Sequence, residues 1–189
     1  MIIKKIKIKE YKQFKNTELN FKEGLNLIIG CGGSGKTILF NMLKEGILKK
    51  NKDYDTEIKG KADKKQIDYI FVDLEKFPEE MIDKYNHHIP YSTLAKGEKT
   101  LLALKTVLKY RKTNNIQDPL VLDSPTGYLD PEKRKAFFKI LKEVKEQVII
   151  FIRHEIELSD TGLKADFKLI PCIPNKNKDK LRTIINKIK

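Results

Sequence analysis

Four glycines, a lysine and two hydroxyl residues fall within one short stretch, Gly30-Cys31-Gly32-Gly33-Ser34-Gly35-Lys36-Thr37. Glycines at this density let the backbone curl until consecutive N–H groups point inward, a cradle for phosphate oxygens. Lys36 adds positive charge for β- and γ-phosphates, and the Thr37 hydroxyl is a ligand for Mg²⁺. The chemistry implied is binding of a nucleoside triphosphate, ATP with Mg²⁺. Its candidate contacts are Gly30, Gly32, Gly33, Ser34, Gly35, Lys36, Thr37 and Ile38. A glycine-rich turn can match such a pattern by chance. This one follows the strand-like Leu25-Asn26-Leu27-Ile28-Ile29 and opens a helical stripe of Leu39, Met42, Leu43 and Ile47, so a helix N-terminus would face the anion.

Three further groups downstream suit the same chemistry. Asp123 ends the apolar run Leu120-Val121-Leu122, where a carboxylate holds Mg²⁺ through water or else caps a helix. His154 follows Ile150-Phe151-Ile152-Arg153, just past an apolar strand, where an imidazole could meet a ligand, although a lone histidine is more commonly a packed core residue. Leu94-Ala95-Lys96-Gly97-Glu98-Lys99 opens a helix with Leu101, Leu104 and Leu108 aligned. It is either a special loop or an ordinary glycine-started helix. His87-His88 reads as exposed loop, and the two cysteines, Cys31 and Cys172, have neither a disulfide framework's number nor zinc spacing. Cys31 sits within the phosphate loop, where backbone N–H groups favour a thiolate.

The elements that must position these groups alternate between strand and helix. Ile6 and Ile8 alternate with Lys5, Lys7 and Lys9, and Leu19 and Phe21 follow Tyr11-Lys12-Gln13-Phe14, which predicts paired strands. Residues 49 to 65 read as polar loop with at most a weak strand. Ile67 to Val72, Leu120 to Asp123, Val148 to Ile152 and Phe167 to Ile173 read as buried strands. Helices are expected after the phosphate loop, from about Glu98 to Lys112, and after Asp130-Pro131, an N-cap acceptor with proline at the first helical position. The tail sets Leu181, Ile184, Ile185 and Ile188 on one helical face amid lysines. The expectation is an α/β fold: a mainly parallel sheet flanked by helices, with N-terminal antiparallel strands. We expect one domain over 1–189, with a small helical part at about 74–113 and a basic C-terminal helix at about 176–189.

Composition bounds the partners. The 189 residues carry 39 Lys+Arg against 26 Asp+Glu, a net charge of +13. That excess matches polyanions such as DNA or an acidic protein, though a Lys- and Ile-rich genome produces it too. Lys5, Lys7 and Lys9, with the basic tail, are the candidate polyanion contacts. No apolar run reaches the ~20 residues that a membrane helix needs. Met1-Ile2-Ile3-Lys4-Lys5-Ile6 alternates like a strand and lacks a signal peptide's apolar core, so a cytoplasmic protein without membrane insertion is expected.

These motifs together resemble an ABC-type ATPase head, the P-loop NTPase fold with mainly parallel sheet flanked by helices. Leu94-Ala95-Lys96-Gly97-Glu98 resembles that family's signature LSGGQ, Leu120-Val121-Leu122-Asp123 its Walker B strand, Gly127-Tyr128-Leu129-Asp130 its D-loop, and Ile150-Phe151-Ile152-Arg153-His154 its switch histidine. The opening Tyr11-Lys12-Gln13-Phe14 and Gly24-Leu25-Asn26-Leu27-Ile28-Ile29-Gly30 narrow the likeness to the SMC, RecF and double-strand-break-repair group, where a hairpin with a basic residue, here Lys12, precedes the P-loop strand. The resemblance implies catalysis by Lys36, Asp123, Ser124 and His154, Lys12 as an added ATP contact, and Thr37 with Asp123 as Mg²⁺ ligands. It also implies signature contacts in trans from Ala95, Lys96, Gly97 and Glu98, and a D-loop Asp130. Two copies would close on ATP as a homodimer, in DNA repair, maintenance or defence, with a nuclease or other effector protein as partner.

The sequence departs from that pattern at three places. Ser124 stands where the family has its catalytic glutamate, and an unactivated hydroxyl is no general base near neutral pH, so slow ATPase activity is expected. Ala95 stands where the signature has serine. The family's glutamine would stand just after the strand-like Ile67–Val72, near Asp73 or Glu75, but no glutamine is there, and Gln66 precedes the strand. Residues 38 to 93 leave no room for a coiled coil, which implies a head without an arm. The competing expectation is a nucleotide-gated subunit, like a transporter's nucleotide-binding domain, that couples ATP to a protein or membrane partner.

Overall fold

The computed structural model describes residues 1–48, 52–61, 64–85, 91–172 and 182–187. Strands β1 (Ile2–Tyr11), β2 (Phe14–Asn20) and β3 (Leu25–Gly30) lead into helix α1 (Lys36–Leu48). Strand β4 (Tyr54–Lys59), the single helical turn α2 (Ile67–Ile70), the short β5 (Phe71–Val72) and α3 (Glu79–Tyr85) fill the middle. Then come α4 (Lys96–Thr113), β6 (Leu120–Asp123), α5 (Pro131–Lys142), β7 (Val148–Ile152), α6 (Ile156–Ser159), β8 (Phe167–Cys172) and β9 (Arg182–Lys187).

The strands form one sheet in the order β4-β1-β2-β9-β8-β3-β7-β6-β5. Strands β8, β3, β7, β6 and β5 run parallel, whereas β1 pairs antiparallel with β2 and β4. The expected α/β head is thus present, and a single pair, Phe14 with Thr183, joins the antiparallel wing to β9. Buried Gln147 fastens wing to core. Its Oε1 accepts from the Ile3 N–H at 2.9 Å, and its Nε2 donates to the Ile3 carbonyl at 2.8 Å.

Two apolar layers sandwich the sheet. One face packs on α4 and α5 through Leu104, Val107, Phe137, Phe138 and Leu141. The other packs on α1 and the wing through Ile6, Phe14, Leu39 and Leu43. The continuous apolar runs of β6 and β7 are what strands covered on both faces require. At the end of α4, buried Arg111 donates to the carbonyls of Tyr69, at 2.6 Å, and Asp118.

Three segments differ from expectation. The expected tail helix is instead strand β9 over 182–187, antiparallel to β8, and the rest of that segment lies outside the described residues. Thr183, Ile184 and Ile185 are β-branched, which lowers helix propensity and suits a pleated neighbour, here β8. Ile67–Val72 is a helical turn followed by two strand residues, because Ile67 and Ile70 both turn inward at helical spacing. Within 49–65, β4 is a full strand, its Tyr54, Thr56 and Ile58 alternating with exposed Asp55, Glu57 and Lys59. The pair His87-His88 lies outside the described residues.

Candidate nucleotide site

Strand order brings three chain segments together at one end of the sheet. β7 lies between β3 and β6, with Ile29 level with Ile152 and Asp123 level with Phe151. The phosphate loop leaving β3, Asp123-Ser124 leaving β6 and Arg153-His154 leaving β7 therefore emerge side by side. The carboxyl ends of parallel strands are where open α/β sheets bind ligands.

In the loop, Gly33 and Gly35 have φ of 76° and 92°, a backbone that side chains strain. Gly35 is also tightly covered: a Cβ there would lie 2.6 Å from Gln13 Nε2 and 2.7 Å from Phe14 Cζ. The tip of the β1–β2 hairpin thus presses on the loop, and Gln13 Nε2 donates to the Gly33 carbonyl at 2.9 Å. Lys12 occupies the hairpin turn at φ 51°, with its ammonium 5.6 Å from the Tyr11 ring centroid. Buried Lys36 donates to the Gly30 carbonyl and, at 2.9 Å, to that of Cys31. Burial pushes its ammonium below the usual lysine range and Arg153 adds to that, whereas Asp123, Cys31 and Glu157 oppose it. Ser34 is buried, Gly32, Thr37 and Cys31 are exposed, and Ile38 is half-buried.

The donor set at Thr37 and Asp123 fits Mg²⁺. Thr37 Oγ1 donates to Asp123 Oδ2 at 2.9 Å, so hydroxyl and carboxylate already face one point. Among the described residues no group of three or more His, Cys, Asp or Glu could hold a metal. The ion would therefore rely on Thr37, on Asp123, and on phosphate and water oxygens, the sparse protein set that Mg²⁺ accepts. Ser124 has φ 49°, and its Oγ donates to Asp123 Oδ1 at 3.1 Å. A non-glycine residue held in this region is a strained backbone of the kind concentrated at functional sites.

Residues beyond those singled out in the sequence lock the surrounding loops. Buried Glu157 accepts from the His154 N–H at 3.0 Å and from the Thr126 hydroxyl, joining the turns that follow β7 and β6. Arg134 on α5 donates to the carbonyls of Ile156 at 3.0 Å and Leu129 at 3.1 Å, a second tie between the same turns. Exposed His154 projects from the first of them. Asp130 caps α5, accepting from the Lys133 N–H at 2.8 Å, as its sequence context predicts.

The signature-like segment begins α4 beside the turn after β6. Ala95 is its N-cap, and Glu98 reaches back to accept from the Ala95 N–H at 2.9 Å. Lys96 Nζ lies 3.1 Å from the Tyr128 ring centroid. A Cβ on Gly97 would fall 2.9 Å from the Tyr128 carbonyl oxygen, so only glycine admits this approach. Two of the three lysines expected to face a polyanion, Lys5 and Lys7, have acidic neighbours, whereas exposed Lys9 pairs with no acid among the described residues. Lys5 lies 3.5 Å from Glu57, and Lys7 lies 3.8 Å from Glu18, acids contributed by the strands on either side.

No described helix is long and apolar enough to cross a membrane. The chain is 26% identical over 192 residues to a putative ABC transporter ATP-binding protein of Clostridium acetobutylicum, across 78% of this chain and 66% of that protein. It is 44% identical over 43 residues to the DNA double-strand break repair Rad50 ATPase of Methanococcus maripaludis, across 23% of this chain and 4% of that one. The chain thus spans less than two thirds of either relative. The SMC head domain from Thermotoga maritima shares its fold, with a TM-score of 0.63 and 17% identity over the whole of both chains. The family model described as AAA ATPase domain matches residues 1–189. That match covers the phosphate loop and the whole parallel sheet, so the chain belongs to the AAA ATPase domain family, and its fold is that of an SMC head.

Proposed function

We propose that residues 1–189 act as one ATP-dependent head, two copies of which close on Mg²⁺-ATP and separate after slow hydrolysis. Lys36 and the loop amides hold the phosphates, Thr37 and Asp123 hold Mg²⁺, and Lys12 adds a contact from the hairpin. His154 reads the γ-phosphate, while Ala95, Lys96, Gly97, Glu98 and Asp130 face the partner copy. The observation that carries this reading is where the surface is apolar. Among the described residues, the exposed large hydrophobics are Tyr128 and Ile156, at 44% and 71% exposure. Tyr128 lies on the turn after β6 and Ile156 opens α6, two residues past His154, where a second copy would cover them. Slow turnover rests on Ser124, which puts no carboxylate where attacking water needs one.

The test is light scattering after gel filtration with Mg²⁺ and a non-hydrolysable ATP analogue. A nucleotide-dependent dimer that Tyr128→Asp prevents is expected, and a monomer at every protein and nucleotide concentration would exclude the reading. The process we assign is DNA repair, maintenance or defence, in the cytoplasm and with a nuclease or other effector protein. The Rad50 likeness of one segment and the SMC-like fold support it. The likeness to an ABC transporter ATP-binding protein favours the second reading, a nucleotide-gated subunit on a protein or membrane partner. DNA affinity separates the two. Binding through phosphates falls linearly in log K against log salt with a slope near ~−0.9 per neutralised phosphate, and the second reading requires no such binding.

A further inference from the structure

We propose that Arg153 is a γ-phosphate ligand supplied by the chain's own β7, a phosphate contact in addition to the P-loop and Lys36. This rests on the nucleotide-site reading above and adds a residue to it.

The position follows from the sheet. β7 lies between the strand that carries the phosphate loop and the strand that ends at Asp123. Arg153 is the first residue past Ile152, which is level with Ile29, so it leaves the sheet between loop and carboxylate. With Gly30, Cys31 and His154 it lines a cavity of about 270 Å³ beside the start of the loop. Its guanidinium lies against Gly127, where an added Cβ would be 3.6 Å from Cζ and Nη1.

The guanidinium has room for an anion, and three carboxylates of the surrounding turns bond elsewhere. Asp123 accepts from Thr37 and Ser124, Glu157 from Thr126 and the His154 N–H, and Glu155 pairs with Lys168 at 2.9 Å. Among the described residues none hydrogen-bonds to Arg153 or pairs with it. A terminal phosphate in the adjoining cavity would give the guanidinium the partner that the described residues do not. An arginine's planar fork suits phosphate oxygens, and a guanidinium against a transferring phosphoryl group stabilises the charge that develops there. ADP, which lacks that group, would leave Arg153 without its ligand.

The experiment compares binding of AMP-PNP and ADP, each with Mg²⁺, to the wild type, Arg153→Ala and Arg153→Lys, at protein concentrations where sizing shows monomers. We expect Arg153→Ala to weaken AMP-PNP about tenfold or more and ADP less than twofold, as befits loss of one charge-assisted contact. Arg153→Lys should recover part of the loss. Equal weakening of both nucleotides, or of neither, would overturn the assignment while leaving the P-loop reading intact. A loss seen only where dimers form would also overturn it, since the arginine would then act across the interface. A wild type that binds neither nucleotide would defeat the underlying reading as well.

Discussion

Replacing Gly97 with alanine sets two opposed effects against each other. Within a helix alanine is favoured over glycine by up to ~1 kcal/mol, because glycine loses more backbone entropy on folding. At this position, however, the new methyl would sit 2.9 Å from the Tyr128 carbonyl oxygen and 3.3 Å from Lys133 Cδ. The lysine stem can swing away, but the carbonyl belongs to a turn held by Asp130, Arg134 and Glu157. Forcing a methyl into a packed contact costs ~1–3 kcal/mol, so the clash should win or at least cancel the propensity gain. Urea unfolding followed by far-UV circular dichroism should show a midpoint equal to or below wild type, with an unchanged slope. Because the methyl moves α4 off the turn after β6, nucleotide-dependent dimerisation should weaken by more than stability does. A variant more stable than wild type by ~1 kcal/mol, as propensity alone predicts, would refute the tight approach.

Two more substitutable features follow from the same site. Ser124→Glu should raise the steady-state ATPase rate, since general-base help is typically worth ~10²–10⁴-fold. A wild-type rate of many turnovers per second, lowered by Ser124→Glu, would mean that another residue is the base. Exposed Cys31 lies on the loop whose carbonyls Lys36 engages, so thiol alkylation should block nucleotide binding and ATP should protect against labelling. Equal labelling rates with and without ATP would contradict a nucleotide over that residue.

Residues that act through local chemistry were readable from the sequence. The glycines of the phosphate loop, the apolar runs ending at Asp123 and Ile152, and the Asp130-Pro131 cap all announce themselves within a few positions, and the structure places each as expected. What stayed hidden depends on contacts between distant segments. Gln13 and Glu157 are unremarkable polar residues until topology sets them against Gly33 and Thr126. The acids beside Lys5 and Lys7 were hidden for the same reason, since Glu18 and Glu57 reach them only through the pairing of β2 and β4 with β1. The tail failed for a related reason. Ile184 and Ile185 fit the spacing of a helical stripe, but they are β-branched and find their pairing partner in β8, so the strand wins.

The most direct measurement is calorimetric titration of Mg²⁺-ATP into the wild type and into Lys36→Ala. The lysine's bonds run to loop carbonyls and its charge faces the phosphate site, so its removal should leave the urea midpoint close to wild type and abolish measurable ATP binding. ATP affinity in a folded Lys36→Ala within about twofold of wild type would contradict the central claim, since loss of a charge-assisted phosphate contact should cost ~tenfold or more.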